Sequence, residues 1–436
     1  MKILRYTDRG FAKAICVLSR KADPTPTVQT TVQEILEKIR QGGDAAVIHY
    51  TEKFGGGKLK TSALRVSERE IANALAGLSP KVKRALLSAR TNVLKFAKKS
   101  LRKSWKMKNA QGVMVGERFD PLERVGIYVP GGTAPLVSSA VMTCTLALAA
   151  SVSEIVATTP GDAEGKINPV LLAALALCGA TEIYRLGGAQ AIGALAYGTK
   201  TIAPVQKIFG PGNAYVVEAK RQVFGRVGVD LLPGPSEVLV IADASAHPDW
   251  IAADLLAQSE HGQGSVAILL TDSVQQLEAV RKAMENQVAL RSRAAQLTTS
   301  LKNAVLIHCA TLKQCVQIAN EFASEHVSIA TRKPEKIAEQ LTTSGAIFLG
   351  GISPVAGGDF LAGPSHVLPT GGAGKSFSGL TVDQFQRRTS ILRYDQDSLR
   401  KSLAFLNTFS AVEGLDAHAY SASVRLSRTP ALPKPR

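Results

Sequence analysis

The chain has 436 residues, 45% of them hydrophobic and 20% charged, which is enough apolar material for a substantial core divided over two or more domains. Its five cysteines, Cys16, Cys144, Cys178, Cys309 and Cys315, are odd in number and widely spread, which argues against a disulfide framework and for a reducing compartment. Each is expected to be a small buried apolar residue. A formal charge of +17 raises nucleic acid as a partner, to be weighed where the charge concentrates.

The N-terminus carries charges throughout its first twenty residues and has no apolar run of signal-peptide length, so secretion is not expected. Helical periodicity covers 27–40 and 71–103, punctuated by Gly42-Gly43 and Gly55-Gly56-Gly57. The basic residues concentrate between Lys81 and Lys108, where Lys95, Lys98, Lys99, Arg102, Lys103 and Lys106 recur without an acid. Their spacing predicts the wet face of a helix whose apolar side carries Leu94, Leu101 and Trp105. A solvated face is the favoured reading, and no specific nucleic acid is expected as a partner.

From Arg124 short apolar runs alternate with helical ones. Strands are predicted at 125–129, 154–158, 182–186, 238–242, 266–271, 305–308, 326–330 and 346–349. This alternation predicts parallel sheets covered on both faces, in two consecutive α/β units that meet near Pro233-Gly234-Pro235. The charge-free stretch 134–152 is rich in Ser, Thr and Ala and reads as a buried helix rather than a membrane span. After Gln386 a short helical segment is expected, then a Pro-containing tail, 429–436, that reads as disordered.

Two nucleotide-binding look-alikes occur. Gly371-Gly372-Ala373-Gly374-Lys375-Ser376 resembles a phosphate loop, but Pro369 stands where the first glycine belongs and no clear strand leads into it. Gly187-Gly188-Ala189-Gln190-Ala191-Ile192-Gly193 follows a strand and opens a helix, a suitable context for a phosphate, yet it is no G-x-G-x-x-G.

Metal-binding and proton-moving side chains gather in the second half: Gln258-Ser259-Glu260-His261, Glu325-His326, Asp359 with His366, and His418. Only seven histidines occur, and these four stand in or near polar motifs, His261 and His326 directly beside Glu, where exposed polar chemistry is expected. Gln258 and His261 are predicted at i and i+3 on a helix running from about Asp249 to Gly262, able to face one point. An imidazole suits proton transfer near neutral pH. On the residues alone, His261 as a helix cap and Glu325-His326 as a helix end remain open alternatives.

The ordered blocks Arg124-Val125-Gly126-Ile127-Tyr128-Val129-Pro130-Gly131-Gly132, Gly188-Ala189-Gln190, Ile208-Phe209-Gly210-Pro211-Gly212-Asn213, Gly234-Pro235-Ser236-Glu237-Val238, Gln258 to Gly262, Glu325-His326, Gly358-Asp359, His366 to Thr370 and Glu413 to His418 resemble histidinol dehydrogenase. The resemblance implies an α/β fold of two incomplete Rossmann-like domains plus smaller helical N- and C-terminal segments in an intertwined homodimer. It divides the chain into a mostly helical region 1–123, an NAD-contacting domain 124–235, a second Rossmann-like domain 236–385 and a C-terminal segment 386–436 that reaches the partner chain. It also implies a cytoplasmic enzyme that oxidises L-histidinol through histidinal to L-histidine with two NAD molecules and one zinc ion per subunit. Carried over by motif, Gln258, His261, Asp359 and His418 hold the zinc, His326 takes the hydroxyl proton and Glu325 activates water. Ser236, His366 and Glu413, with the zinc ligands and His326, contact substrate, and Tyr128, Gln190 and Asn213 contact NAD. Pro364-Ser365 stands where many members carry Thr-Asn, beside Asp359. Relatives that oxidise other amino alcohols or small diols are the alternative within the enzyme class.

Overall fold

The computed structural model describes residues 1–18, 24–131, 135–262 and 264–427. Gly132 of the first motif, the start of the 134–152 stretch and the 429–436 tail lie outside them. The chain forms two compact units, one from 1–100 with 122–385, the other from 101–121 with the chain from Gln386 onward.

In the first unit, β1 (Lys2–Arg5) and α1 (Phe11–Leu18) precede a long helix α2 (Pro26–Lys53), which Thr25 caps through its side chain. The punctuation expected at Gly42-Gly43 is a kink, where Gly43 leaves helical geometry with φ 52° and ψ −133° and two helical stretches of α2 meet. The single helix predicted over 71–103 is two, α3 (Glu68–Ala76) and α4 (Pro80–Ser100). Gly77 ends the first, and Pro80, which has no N–H to donate, starts the second.

In the second unit, β2 (Trp105–Lys108) and β3 (Met114–Pro121) correct the expected placement of Trp105 on a helix: Trp-Lys-Met-Lys alternates with period two and pairs antiparallel with β3. Both belong with β14 (Gln386–Arg393), α15 (Gln396–Glu413) and α16 (Asp416–Ser423), so the expected short C-terminal helical segment is a strand and two helices.

The first parallel sheet is built from β4 (Arg124–Tyr128), β5 (Glu154–Thr159), β6 (Glu182–Arg185), β7 (Lys207–Phe209) and β8 (Gly228–Val229), in the order β6-β5-β4-β7-β8. Between them run α5 (Val137–Ala149), α6 (Pro169–Leu177), α7 (Gly188–Tyr197) and α8 (Ala214–Val223). Helix α5 is buried at ten positions, as its apolar, charge-free sequence requires. Helices α2, α7 and α8 pack into one core with residues of the sheet. The strand order reverses at β4, so the loops after β4 and β7 open a crevice at the carboxyl ends of the strands, where such sheets take ligands.

The second parallel sheet follows the Pro233-Gly234-Pro235 turn: β9 (Glu237–Ala242), α9 (Pro248–Ser259), β10 (Val266–Thr271), α10 (Val274–Val288), α11 (Ala294–Ser300), β11 (Val305–His308), α12 (Leu312–Phe322), β12 (His326–Ala330), α13 (Pro334–Ala338), β13 (Ala346–Leu349) and α14 (Val355–Phe360). Its order is β1-β11-β10-β9-β12-β13, so the N-terminal strand, absent from the sequence reading, closes one edge. Four cysteines are buried as expected, whereas Cys16 is exposed. No helix among the described residues is long and apolar enough to cross a membrane.

Candidate active site

In the second sheet the chemistry lies at the amino ends of the strands. Ser236 immediately precedes β9, and Glu325-His326 opens β12. Helix α9 runs back from β9 to β10 and ends at Ser259, earlier than expected, so that Gln258 sits in its last turn and His261 in the turn beyond. The expectation of exposed histidines fails at His326, because β12 pairs on both sides and the residue is 5% exposed. The phosphate-loop look-alike at Gly371 is a short 3-10 turn, and the Gly371 N–H is taken by Glu237 Oε1 at 3.0 Å.

One residue of the neighbouring strand orients both members of the Glu325-His326 pair. The Glu237 N–H donates to Glu325 Oε2 at 2.8 Å, and the Glu237 carbonyl lies 3.1 Å from His326 Nδ1. A carbonyl can only accept, so Nδ1 carries a proton and Nε2 is left as the basic atom of the neutral ring. That Nε2 is buried, 3.4 Å from Asp359 Oδ1. Burial opposes charging His326, but the Glu325 carboxylate 3.6 Å away and Asp359 outweigh it and push the ring up to about 9. Burial pushes the Glu325 carboxyl above its ordinary range, with His326 and hydrogen bonds from Glu237 and Ser236 opposing it. Burial would likewise raise Asp359, yet the bond to His326 and the fields of His326, His366 and His261 hold it low. His366 is held by the Ser138 main chain with Nε2 buried and without a partner among the described residues, and burial lowers its basicity. Desolvation lowers His261 as well, opposed chiefly by Asp359.

The carboxyl ends of the first sheet supply the other wall. Tyr128 closes β4, and its hydroxyl accepts from the Gly188 N–H at 3.1 Å. Gln190, 2% exposed, has Oε1 buried without a partner among the described residues. Asn213 caps α8 by accepting from the N–H groups of Tyr215 and Val216, both at 3.1 Å, which leaves its NH2 to donate outward. Tyr128, Gln190, Asn213 and His261 all line one cavity of about 900 Å³, within the size range of small-molecule and cofactor sites. Glycines at 187 and 188 let the backbone approach it closely. The cavity wall also takes Thr31, Ile35, Thr51 and Phe54 from α2 and its end, and Glu260, Arg293 and Gln296. Sequence reasoning missed the residues of α2 and its end because nothing local ties an N-terminal helix to a cavity built some hundred residues later.

A model of the histidinol dehydrogenase family matches residues 18–426. The chain belongs to the histidinol dehydrogenase family. The histidinol dehydrogenase of Agrobacterium fabrum is 44% identical over 416 residues, covering 95% of this chain and 96% of its own length. That of Rhizobium meliloti is 43% identical over 426 residues, covering 97% and 98%. The crystal structure of histidinol dehydrogenase from Elizabethkingia anophelis matches with a TM-score of 0.93 at 35% identity over 98% of both chains.

Histidinol dehydrogenases are NAD-dependent and use a zinc ion. The residues fit both groups. Gln258 is 4% exposed and its Nε2 is buried with no partner among the described residues; a half-turn of the amide presents its oxygen there, a donor of the type a divalent ion takes. His261 and Asp359 add an imidazole and a carboxylate that lie within each other's fields. Among the described residues no three His, Cys, Asp or Glu side chains form a metal-holding group. For NAD, the cavity's volume and the unpartnered Gln190 oxygen provide the fit. Glu413 and His418 belong to the second unit, where α15 and α16 carry them into a separate pocket of about 450 Å³.

Proposed function

We propose that this chain oxidises L-histidinol through histidinal to L-histidine, the last step of histidine biosynthesis, reducing two NAD molecules per product. The observation that carries the reading is the single cavity lined both by Tyr128, Gln190 and Asn213 and by His261. It brings a cofactor-sized space to the edge of a cluster of proton-transfer groups.

His326 is the base of the first oxidation. Its Nδ1–H is fixed on the Glu237 carbonyl, so in the neutral ring, the form that gains as pH rises, Nε2 takes the hydroxyl proton of the substrate, and the resulting cation is stabilised by Glu325 and Asp359. Glu325 deprotonates the water that adds to the aldehyde; burial raises its basicity for that task. Gln258, His261, Asp359 and His418 would hold the zinc, which supplies Lewis-acid polarisation and a docking point for the amino alcohol. Ser236, His366 and Glu413 contact the substrate, Glu413 at its ammonium group. Tyr128, Gln190 and Asn213 grip NAD.

The assembly belongs to the same reading. Residues 1–123 form the N-terminal region, 124–235 the NAD-contacting domain and 236–385 the domain with most of the metal and catalytic groups. In an intertwined cytoplasmic homodimer, residues 386–436 complete the partner's site. Pro364-Ser365 beside Asp359 makes other amino alcohols the alternative substrates. The test is NADH formation by purified, zinc-loaded protein with L-histidinol, histidinal and a panel of amino alcohols and diols. A preference for any other alcohol over L-histidinol would refute the assignment.

A further inference from the structure

Behind the wall of the cofactor cavity lies an ion pair that takes no part in the chemistry above. Lys220, on α8, and Asp230, after β8, pair with each other, and both side chains are 0% exposed. Withdrawing both charges from water is costly, and a buried pair of this kind is often no more stabilising than apolar residues of the same size. Its partners indicate what it does. Lys220 Nζ donates to the Gly210 carbonyl at 2.9 Å, and the Gly210 N–H donates to Asp230 Oδ2 at 2.8 Å, so the pair grips both main-chain groups of one residue.

Gly210 is where the chain leaves β7 for the turn that ends in Asn213. Its φ is +110°, and a Cβ there would lie 2.1 Å from the Tyr128 carbonyl oxygen. The backbones carrying Tyr128 and Asn213 therefore touch at this residue. Tyr128 in turn reaches Gly188 through its hydroxyl, and a Cβ on Gly188 would stand 2.7 Å from Gln190 Oε1. All three groups read as NAD contacts are thus linked through Gly210 in one register.

We propose that the Lys220–Asp230 pair is a positioning device for the dinucleotide: by clamping Gly210 it fixes the separation of Asn213 and Tyr128 across the cavity. The inference rests on the reading of this cavity as the NAD site. Neither residue is among those lining the cavity, so their effect appears in NAD affinity and not in the chemical step.

The test compares two double variants that each remove the pair without leaving a lone buried charge. Lys220→Met/Asp230→Leu loses both grips on Gly210, whereas Lys220→Met/Asp230→Asn keeps an oxygen that can accept from the Gly210 N–H. The Leu variant is expected to bind NAD about tenfold more weakly by calorimetry and to raise KM for NAD alike, with KM for L-histidinol within about twofold of the parent. The Asn variant should recover NAD affinity to within about threefold of the parent at a similar Tm, a graded rescue that a merely structural pair would not give. NAD affinity unchanged in the folded Leu variant overturns the proposal, as does equal weakening toward NAD and histidinol. Should the Leu variant fail to fold, Lys220→Met/Asp230→Ala, which also loses both grips on Gly210, decides: NAD binding weakened with KM for L-histidinol within about twofold of the parent supports the clamp, and parental NAD affinity overturns it. A parent chain that turns over histidinol but shows no NAD binding in competition with occupants of this cavity refutes the cavity reading, and the clamp with it.

Discussion

Gly188→Ala should weaken NAD binding through a neighbour. Gly188 has a φ of +64°, a region that costs a residue with a Cβ roughly 1–2 kcal/mol. The added carbon would stand 2.7 Å from Gln190 Oε1 and 3.3 Å from Cδ, closer than real contacts allow. Gln190 is 2% exposed, so its amide has to swing out of the place it now holds. Losing one neutral hydrogen bond to the cofactor is worth about 1 kcal/mol, which raises the Kd for NAD roughly fivefold, while the strained backbone lowers Tm by a few degrees. Gly10→Ala is the control. Its φ is +89° with nothing within 4 Å of the added carbon, so it should show the strain without the change in affinity. Calorimetric titration with NAD and thermal melts of the three proteins separate the two effects. A Gly188→Ala protein that binds NAD as tightly as the Gly10→Ala protein would refute the reasoning about Gln190.

Four further outcomes are expected. His261→Asn should lower zinc content by elemental analysis as well as rate, and chelation of the parent should abolish turnover that added zinc restores; full activity of verified metal-free protein would remove the zinc assignment. Glu325→Gln should retain part of the first hydride transfer while failing to complete the acid, so a single turnover yields about one NADH in place of two, whereas equal loss in both halves would give Glu325 an orienting role. Mixing inactive His261→Ala and His418→Ala chains should restore activity in tagged heterodimers, since one of the two sites regains both histidines; persistent inactivity means His418 serves its own chain. Burial would raise the Glu70 carboxyl, but bonds from Arg185 and Ser67 hold it near 2, below the ordinary 4.5. A depressed carboxylate contributes stability above 4.5 that fades as pH falls toward 2, so the gap in Tm between the parent and Glu70→Gln should be widest at neutral pH and shrink in acid, and a constant gap would contradict the pairing.

Much of this layout is legible in the sequence where the signal is local. The apolar run of α5, strands β4 to β6 and β9 to β13 and the turn at Pro233-Gly234-Pro235 follow from periodicity and from proline and glycine, whereas β1 and the short β7 and β8 do not. The site motifs mark the segments that carry chemistry, but not their burial: the strand predicted to open at His326 proves to be paired on both sides, which buries Glu325 and His326. Other features depend on distant partners. Gln386–Arg393 carries three arginines and little apolar alternation, and becomes a strand by pairing with Met114–Pro121, some 270 residues away. Lys220 looks like a solvated helix residue until Asp230 and Gly210 close around it. Trp105–Lys108 shares its lysines with the basic helix before it, and charge spacing alone cannot separate them.

Strand β1 has a consequence for biosynthesis. Lys2 to Arg5 pair with Val305 to His308, so the ribosome delivers β1 about 300 residues before its neighbour. At about 5–20 residues per second that is roughly 15–60 s during which the strand has no sheet to join. Sheet two then closes from both directions in chain order, its outer strand translated first and docked late. Nascent chains arrested before residue 305 should expose β1 to protease, and chains released beyond residue 308 should protect it.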